Sequence, residues 1–161
     1  MGTPASAGIL GLTIDYSGDL FSGSPFLQQI LRIDVGGNAT VFLDDADVSG
    51  GLGAPVGMDF AANGDLFYTD LVGRVVQVTS SGVASILVNS LPFVGSDLAI
   101  DPISGDLFVT AGTEIYRVKV DGTVSTLANN FVRLAGLDFG LASSKSSFWK
   151  LLLFGVGLIW R

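Results

Sequence analysis

Short runs of alternating apolar and polar residues fill most of the chain, and glycine-containing turns separate them. Between residues 30 and 35, for example, Leu31, Ile33 and Val35 are apolar, whereas the residues between them are polar. A period of two is typical of a half-buried β-strand. The Gly-Gly-Asn sequence that follows is a strong hairpin signal, with a further strand pattern at residues 40–43. The pattern predicts short antiparallel strands joined by tight turns.

The four-residue word Gly-Asp-Leu-Phe occurs three times, each time at the same place in the strand pattern. Each copy belongs to a unit of four predicted strands in roughly 40–45 residues, which is the period of a β-propeller blade. The sequence therefore predicts an all-β fold built from blades of four antiparallel strands. The recurring residues are Gly18, Asp19 and Phe21, then Gly64, Asp65 and Phe67, then Gly105, Asp106 and Phe108.

The repeats also predict the domain organisation. About three blades and one further strand are present, whereas closed propellers have typically 4–8 blades, so we expect an incomplete ring. The expected segments are a lead-in at 1–9, a repeat region at 10–140 with blades at about 11–45, 56–91 and 96–130 and a fourth begun at 136, a linker at 141–147, and an apolar tail at 148–161.

Composition restricts the chemistry that the chain could carry. The net charge is −7 and the eight Lys and Arg residues are not clustered, which argues against nucleic acid as a partner. The sequence contains neither Cys nor His, so these residues supply no thiolate nucleophile, no imidazole base and few zinc ligands. Any chemistry would rest on Asp, Tyr, Ser or a carboxylate-bound metal.

Two sets of aspartates invite a functional interpretation. Asp19, Asp65 and Asp106 follow the turn glycine of each repeat, where hydrogen bonding to the local backbone explains them better than catalysis does. The Phe that ends each word is predicted to lie in the core between blades. The second set lies on or beside first strands, which line a propeller's channel, and could bind a cation or act as acid and base: Asp15, Asp59, Asp97, Asp101 and Asp138.

The repeats differ most in one connection, Asp44 to Pro55, which is longer than its counterpart after the third blade. In a propeller it shares a face with the loop Ser24 to Gln29, and long loops on one face are where such folds usually bind. We expect this face to bind a ligand. Its candidate binding residues are Asp44, Asp45, Asp47, Ser49, Phe26 and Gln28.

The same connection resembles the first half of a calcium loop. Asp45, Asp47 and Ser49 place oxygen ligands at alternate positions, and Gly50 stands where a sharp turn is needed. The second half departs from the pattern, because Val56 occupies the position of the bidentate Glu. A solvated acidic loop without a cofactor is therefore the expectation, with Ca²⁺ at Asp45, Asp47 and Ser49 as the alternative.

The first-strand and Gly-Asp-Leu-Phe sequences, such as those within Pro55–Asp70 and Leu98–Val109, resemble six-bladed propellers of the NHL-repeat type and the related gluconolactonase and strictosidine-synthase-like superfamily. The resemblance covers about residues 10–140 and implies half of a six-bladed ring, completed by missing sequence or by a second copy. The lactonase branch binds a divalent metal through Asn, Asp and Glu, several of them just before a first-strand Gly. Val56, Ser96 and Ala135 stand there in this chain, which argues against lactonase activity.

The tail allows three interpretations. Its apolar run from Leu151 to Trp160 is shorter than the roughly 17–25 residues of a spanning helix. It could be a membrane-associating segment, the end of a truncated reading frame, or a packed final strand. The first ten residues lack the pattern of a signal peptide, and an extracellular or cell-envelope location is favoured without being encoded there.

These observations favour a non-catalytic, NHL-like binding or scaffold module, as a fragment of a larger secreted or envelope protein. Its ligand would be a protein or a small molecule. The alternative is a metal-dependent hydrolase of the lactonase type, although the ligand positions of that branch are not matched.

Overall fold

The chain folds into a series of short β-strands. The computed structural model describes residues 8–132, 134 and 136–139, together with the backbone of 149–152. The strands of these residues are β1 Leu10–Ile14, β2 Leu20–Ser24, β3 Gln29–Ile33, β4 Ala39–Asp44, β5 Pro55–Phe60, β6 Leu66–Asp70, β7 Val75–Val78, β8 Ala84–Val88, β9 Gly95–Ile100, β10 Leu107–Ala111, β11 Glu114–Val118, β12 Val124–Ala128, β13 Gly136–Phe139 and β14 Trp149–Leu152, with one 3-10 turn, Asp45–Asp47.

The strands form three four-stranded antiparallel sheets, each in simple sequential order. The sheets are β1 to β4, β5 to β8 and β9 to β12, and β13 pairs with β14 in a smaller fourth sheet. No sheet of the described residues closes on itself. The predicted all-β architecture of about three four-stranded blades in an incomplete ring is therefore confirmed.

A short part of the tail pairs with the strand that follows the third blade. The backbone of β14, from Trp149 to Leu152, runs antiparallel to β13 from Gly136 to Phe139. The described part of the tail is thus a strand, which is one of the three interpretations that the sequence leaves open. The linker at 141–147 and the rest of the tail lie outside the described residues. Within the described residues, no helix is long and apolar enough to cross a membrane.

Each interface between neighbouring blades is an apolar layer. Because neighbouring residues of a strand point to opposite faces, the Leu and the Phe of each Gly-Asp-Leu-Phe word belong to opposite faces of a blade. We call the face of the Leu the front face and that of the Phe the back face. Phe21 of the first blade packs in one buried cluster with Leu66 and Val78 of the second. Phe67 of the second blade shares the next cluster with Leu107 of the third.

The first strands of successive blades approach to backbone contact. A Cβ atom on Gly57 would lie 2.5 Å from the Cα of Asp97 in the next blade. A Cβ on Gly11 would lie 1.9 Å from the carbonyl oxygen of Val56. Side chains at these positions would push the inner strands apart, so glycine is required by space.

One detail of the predicted strand pattern was wrong. Strand β3 ends at Ile33, and Val35 lies in the following turn, where it is 82% exposed. The alternation of Leu31, Ile33 and Val35 therefore extends beyond the strand that it predicted. The turn begins at Val35, one residue before the Gly-Gly-Asn sequence that predicted it. The Asp34 carboxylate stabilises this turn by accepting hydrogen bonds from the backbone N–H groups of Gly36 and Asn38.

Candidate functional site

Two loops leave the first blade at the same end. Gln29, which begins β3, pairs with Asp44, which ends β4. The turn between β2 and β3 and the connection between β4 and β5 therefore start side by side. We call residues 24–29 and 44–55 together the loop face.

Hydrogen bonds to its own backbone fix the first part of the connection. The Asp44 carboxylate accepts from the N–H of Ala46 at 2.9 Å, and the Asp47 carboxylate accepts from the N–H of Asp44 at 2.8 Å. This reciprocal pair is a capping box on the 3-10 turn. Asp45 Oδ1 accepts from the N–H of Leu52 at 2.8 Å, which closes the loop.

An ion pair from the second blade holds the second part of the connection. Arg74 Nε donates to Asp70 Oδ2 at 2.6 Å, and the two side chains are only 9% and 0% exposed. The remaining guanidinium nitrogens donate to the carbonyl oxygens of Gly50 at 3.1 Å and Gly51 at 2.7 Å. Arg74 thus links the loop to the neighbouring blade. We call Arg74 and Asp70 the loop clamp.

The loop clamp was not foreseen from the sequence. Arg74 lies outside the positions that recur between repeats, and its partners Gly50 and Gly51 are more than twenty residues away in the chain. The one signal in the sequence was that the other repeats have no arginine at the position of Arg74. An arginine found in one repeat only is not needed for the blade structure that all repeats share.

Two apolar side chains of the connection between β4 and β5 anchor it in the core. Val48 and Leu52 are buried in the core that the first two blades share. The hydroxyl of the buried Tyr68 donates to the carbonyl oxygen of Leu52 at 3.3 Å. Burial, followed by the nearby charge of Asp70, raises the pKa of Tyr68 far above its ordinary value, so this hydroxyl stays protonated as a donor.

The loop face presents an aromatic ring and an acidic edge. Phe26 is 82% exposed at the tip of the β2–β3 turn. Gln28 beside it is also exposed and has a φ of 50°, in the left-handed region. Asp45, Asp47 and Ser49 are exposed on the neighbouring connection, and Asp44 is half-buried.

The predicted calcium ligands are committed to the protein backbone in part. One oxygen of Asp45 and one of Asp47 each accept a backbone N–H group. Among the residues that the structure describes, no group of three or more His, Cys, Asp or Glu side chains could hold a metal ion. Calcium binding by Asp45, Asp47 and Ser49 stays a prediction.

Two of the channel aspartates join neighbouring first strands. Asp59 Oδ2 accepts from the N–H of Ile100 in the third blade at 2.9 Å, and Asp97 Oδ2 accepts from the N–H of Leu137 on β13 at 2.7 Å. The other oxygen of each carboxylate accepts from the next N–H of its own strand. We call Asp59 and Asp97 the bridging aspartates.

Burial raises the pKa of both bridging aspartates. Hydrogen bonds from the backbone of Ile100 and Leu137 oppose this effect, whereas the charge of Asp138 adds to the pKa of each. Asp138 itself is exposed on β13. Both oxygens of each carboxylate accept backbone N–H groups, and Asp59 Oδ1 also accepts from the Thr13 hydroxyl at 3.4 Å, so the geometry gives these residues a structural role.

Two further predicted channel residues, Asp15 and Asp101, belong to turns. Asp15 Oδ1 accepts from the N–H groups of Ser17 and Asp19, and Asp101 accepts from the N–H of Ile103 and the hydroxyl of Ser104. They lie in the turns after β1 and β9. Of the five first-strand aspartates, Asp15 and Asp101 therefore belong to turns, whereas Asp59, Asp97 and Asp138 lie close enough together for the charge of Asp138 to raise the pKa of the other two.

The aspartates of the repeated word bind mainly side chains, whereas the sequence suggested backbone groups. Asp19 and Asp106 pair with Arg32 and Arg117 of the third strand in their blades, with Nε to Oδ2 distances of 2.7 and 2.6 Å. In the second blade, Gln77 donates to Asp65 at 2.8 Å. Only there does a backbone group join, since Ser80 N–H donates to Asp65. The acid and the third-strand residue thus form a cross-strand pair in every blade.

A cleft of about 310 Å³ lies between the first two blades at the end opposite the loop face. The rings of Phe21, Phe42 and Phe60 line it. The centroid of the Phe21 ring lies 5.0 Å from that of Phe42 and 4.9 Å from that of Phe60. Tyr16 and Arg32 stand at its rim. Arg32 forms an ion pair with Asp19. The guanidinium of Arg32 is therefore not free to bind a charged ligand in the cleft, whose aromatic lining is apolar.

The positions that correspond to lactonase ligands carry no ligand chemistry. Val56 is half-buried on β5 and Ser96 is exposed on β9. Ala135 lies outside the described residues. This arrangement agrees with the departure that the sequence shows.

The fold is that of known β-propeller proteins. A streptogramin B lyase structure has a TM-score of 0.72 and 19% identity, over 92% of this chain and 49% of that chain. A catalytically inactive His-to-Ala variant of virginiamycin B lyase from Staphylococcus aureus, with quinupristin, has a TM-score of 0.71 and 19% identity over 92% and 51%. The nidogen/laminin complex gives 0.66 and 23% over 89% and 56%.

These similarities concern the fold alone, because the identities are low. They confirm the resemblance to β-propellers. The chain spans about half the length of these neighbours. No protein-family model matches the sequence, and no curated protein matches it.

Proposed function

We propose that the chain is a non-catalytic binding module whose loop face binds a protein segment that carries basic and aromatic side chains. The observation that supports this proposal most is the loop clamp. Arg74 and Asp70 form a buried ion pair that serves no repeat position and instead fixes the carbonyl groups of a single surface connection.

A fixed connection favours binding because less conformational entropy is lost when a partner docks. Residues 45–54 carry a capping box, a closing hydrogen bond from Leu52 and two buried apolar anchors. The matching connection between the second and third blades is shorter, at residues 89–94. Leu91 is a buried anchor in the matching connection as well, so the capping box and the closing hydrogen bond are what set residues 45–54 apart.

The chemistry of the loop face points to the kind of partner. Phe26 exposes a large apolar ring, and aromatic residues are enriched at interfaces. The exposed carboxylates of Asp45 and Asp47 lie on a chain with a net charge of −7. Such a surface repels acidic partners and attracts a segment with Lys or Arg beside an apolar side chain.

The neighbours support a binding role without deciding it, since they include lyases as well as nidogen in its complex with laminin. In one lyase, replacing a histidine gives a catalytically inactive protein. The 161 residues of this chain contain no histidine and cannot supply that group. The similarity therefore supports the shared propeller fold and does not carry the lyases' chemistry to these residues.

Selection of phage-displayed random peptides on the immobilised chain tests the proposal. We expect the selected peptides to be rich in Lys or Arg together with aromatic residues. Their affinity should fall by about tenfold in F26A. V35A is the matched control, because Val35 is also 82% exposed but lies at the opposite end of the blade. The absence of enriched peptides, or equal losses in F26A and V35A, would contradict the proposal.

The lactonase alternative is tested on the same preparation. Metal analysis of the purified chain and turnover of a simple aliphatic lactone, with and without added Ca²⁺, give a direct answer. The binding proposal expects no bound metal and no turnover above the uncatalysed rate. Turnover that is lost in D59N or D97N would instead assign a catalytic role to the bridging aspartates.

A further inference from the structure

The cleft between the first two blades is a cavity that the proposed function does not use. Its volume is about 310 Å³, and pockets for small molecules begin at about 300 Å³. Its walls are the back face of the first blade and the front face of the second, so both belong to this chain. Phe42 and Phe60 line it and are only half-buried, which leaves aromatic surface for a ligand.

This aromatic lining is absent from the matched positions of the next interface. Phe60, the last residue of β5, corresponds to Ile100, the last residue of β9. Phe42 corresponds to Leu87, since each is the unpaired residue at the bulge of the fourth strand in its blade. Aliphatic residues therefore suffice for packing one blade on the next, and the two rings are not required by the repeat.

The rim of the cleft carries more negative than positive charge. Asp15 and Arg32 both line the cleft. Arg32 forms an ion pair with Asp19, and its charge also interacts with the charges of Asp15 and Asp34. One cation thus stands among three carboxylates. This surplus of negative charge favours a cationic ligand over an anionic one.

Asp15 has one oxygen available for such a ligand. Its Oδ1 accepts the N–H groups of Ser17 and Asp19 at 2.8 and 2.9 Å, which fixes the carboxylate in the turn after β1. Its Oδ2 accepts no hydrogen bond from the part of the chain that the structure describes. The ring of Tyr16, the next residue, also lines the cleft and is 76% exposed.

We propose that the cleft binds a small aromatic amine, with its ring against Phe42 and Phe60 and its ammonium group at Asp15. Aromatic rings pack well on other rings in offset or edge-to-face geometry. An ammonium group forms a charge-assisted hydrogen bond with a carboxylate and is attracted by the face of a tyrosine ring. Because the cleft lies at the end opposite the loop face, this inference does not depend on the proposed function.

Nuclear magnetic resonance titration of the isotope-labelled full chain tests the proposal. The three probes are phenethylamine, phenethyl alcohol and hydrocinnamate, which join one phenyl ring to a cationic, a neutral or an anionic group. We expect the amide signals of Ser17, Thr79 and Ser80 to shift. Phenethylamine should bind at least about fivefold more tightly than the alcohol, and hydrocinnamate should bind most weakly.

Two variants separate the contributions of charge and ring. D15N keeps the Oδ1 acceptor of the turn and should remove the preference for the amine over the alcohol. D121N is its matched control, because Asp121 also accepts a backbone N–H group but lies in an exposed turn of the third blade. F42L introduces the residue of the next interface and should weaken the amine and the alcohol alike. The dispersion of the amide signals shows whether each variant keeps the fold.

Three results would overturn the proposal. Equal affinity for the amine and the alcohol would show that Asp15 does not bind the ammonium group. Equal effects of D15N and D121N would assign the preference to the overall net charge of −7. Unchanged amide signals at the cleft up to about 10 mM amine, or changes confined to the loop face, would show that the cleft binds no aromatic amine.

Discussion

At the scale of single residues, the phenylalanine of the repeated word contributes most to the fold. Phe21, Phe67 and Phe108 are 3%, 6% and 2% exposed in three successive blade interfaces. The three Phe residues occupy equivalent positions in the blade interfaces, so the repeated word is explained by core packing. The leucine beside each Phe lies on the opposite face of the same blade. Replacing any of the three Phe residues, or the Leu of the second or third word, would open an interface, whereas Leu20 of the first word is 36% exposed.

Phe67→Ala should lower the free energy of unfolding by about 3–5 kcal/mol, the usual cost of emptying a buried aromatic site. Phe21→Ala and Phe108→Ala should cost a comparable amount, because all three rings fill equivalent positions. Urea denaturation of the three variants measures this. A near-neutral result for Phe67→Ala would contradict the shared-core interpretation of the blades.

The bridging aspartates should give the chain an unusual dependence on pH. Burial raises the pKa of Asp59 in the folded state. The folded state then binds more protons than the unfolded state, so the contribution of Asp59 to stability increases as pH falls through the raised pKa. For Asp121, the hydrogen bonds from Thr123 lower the pKa, and its contribution is lost as pH falls.

The two variants D59N and D121N separate these opposite effects. As pH falls from neutral to about pH 4.5, the unmodified chain should gain stability relative to D59N. Its loss of stability relative to D121N should come below about pH 4.5. Chemical denaturation at several pH values gives both differences. The same sign for both variants would show that Asp59 is not desolvated by the neighbouring blade.

At the scale of strands and turns, each blade uses the same cross-strand pair, whereas the loop clamp occurs once. Asp106 and Arg117 illustrate the repeated kind, in which the arginine remains 42% exposed. Arg74 and Asp70 are buried, and they hold a connection that belongs to another blade. The repeated pairs stabilise the blade, while the clamp shapes a surface.

R74M should therefore be much more damaging than R117M. Removing Arg74 leaves the buried charge of Asp70 without its ion-pair partner, at a cost of about 3–5 kcal/mol. R117M leaves an aspartate beside solvent and should cost less. Urea denaturation compares the two, and hydrogen exchange should show faster exchange at residues 45–54 in R74M only. Equal losses of stability in the two variants, with unchanged hydrogen exchange at residues 45–54, would show that Arg74 does not hold this connection in place.

Two glycine-to-alanine substitutions distinguish the cost of a steric clash from the cost of an unfavourable backbone conformation. Gly82 has a φ of 85° and nothing within 4 Å of an added Cβ, so G82A should cost roughly 1–2 kcal/mol from conformation alone. Gly57 lacks a positive φ, but an added Cβ would lie 2.5 Å from the Asp97 backbone. G57A should cost more than G82A in thermal unfolding. The reverse order would mean that the inner strands can separate freely.

The repeat made the strands predictable, because three copies of one pattern fixed the turns and the buried face together. It could not show which side chains of different blades meet, and so the bonds from Asp59 to Ile100 and from Arg74 to Gly51 were missed. Both join residues that are distant in the chain and follow no local period. The loop face was predictable as a place, since it is where the copies differ in length.

At the scale of the whole molecule, the blades form a scaffold, and its two non-repeating features are the loop face and the cleft between the first two blades. The first is fixed from within by the loop clamp. The second is lined by Phe42 and Phe60, where the next interface has Leu87 and Ile100.

Hydrogen exchange with and without a selected basic and aromatic peptide tests the central claim most directly. The account predicts that the peptide slows exchange at residues 24–29 and 44–55, and that R74M weakens this protection. Protection confined to the turns at the opposite end of the blades, or to the cleft lined by Phe42 and Phe60, would contradict it.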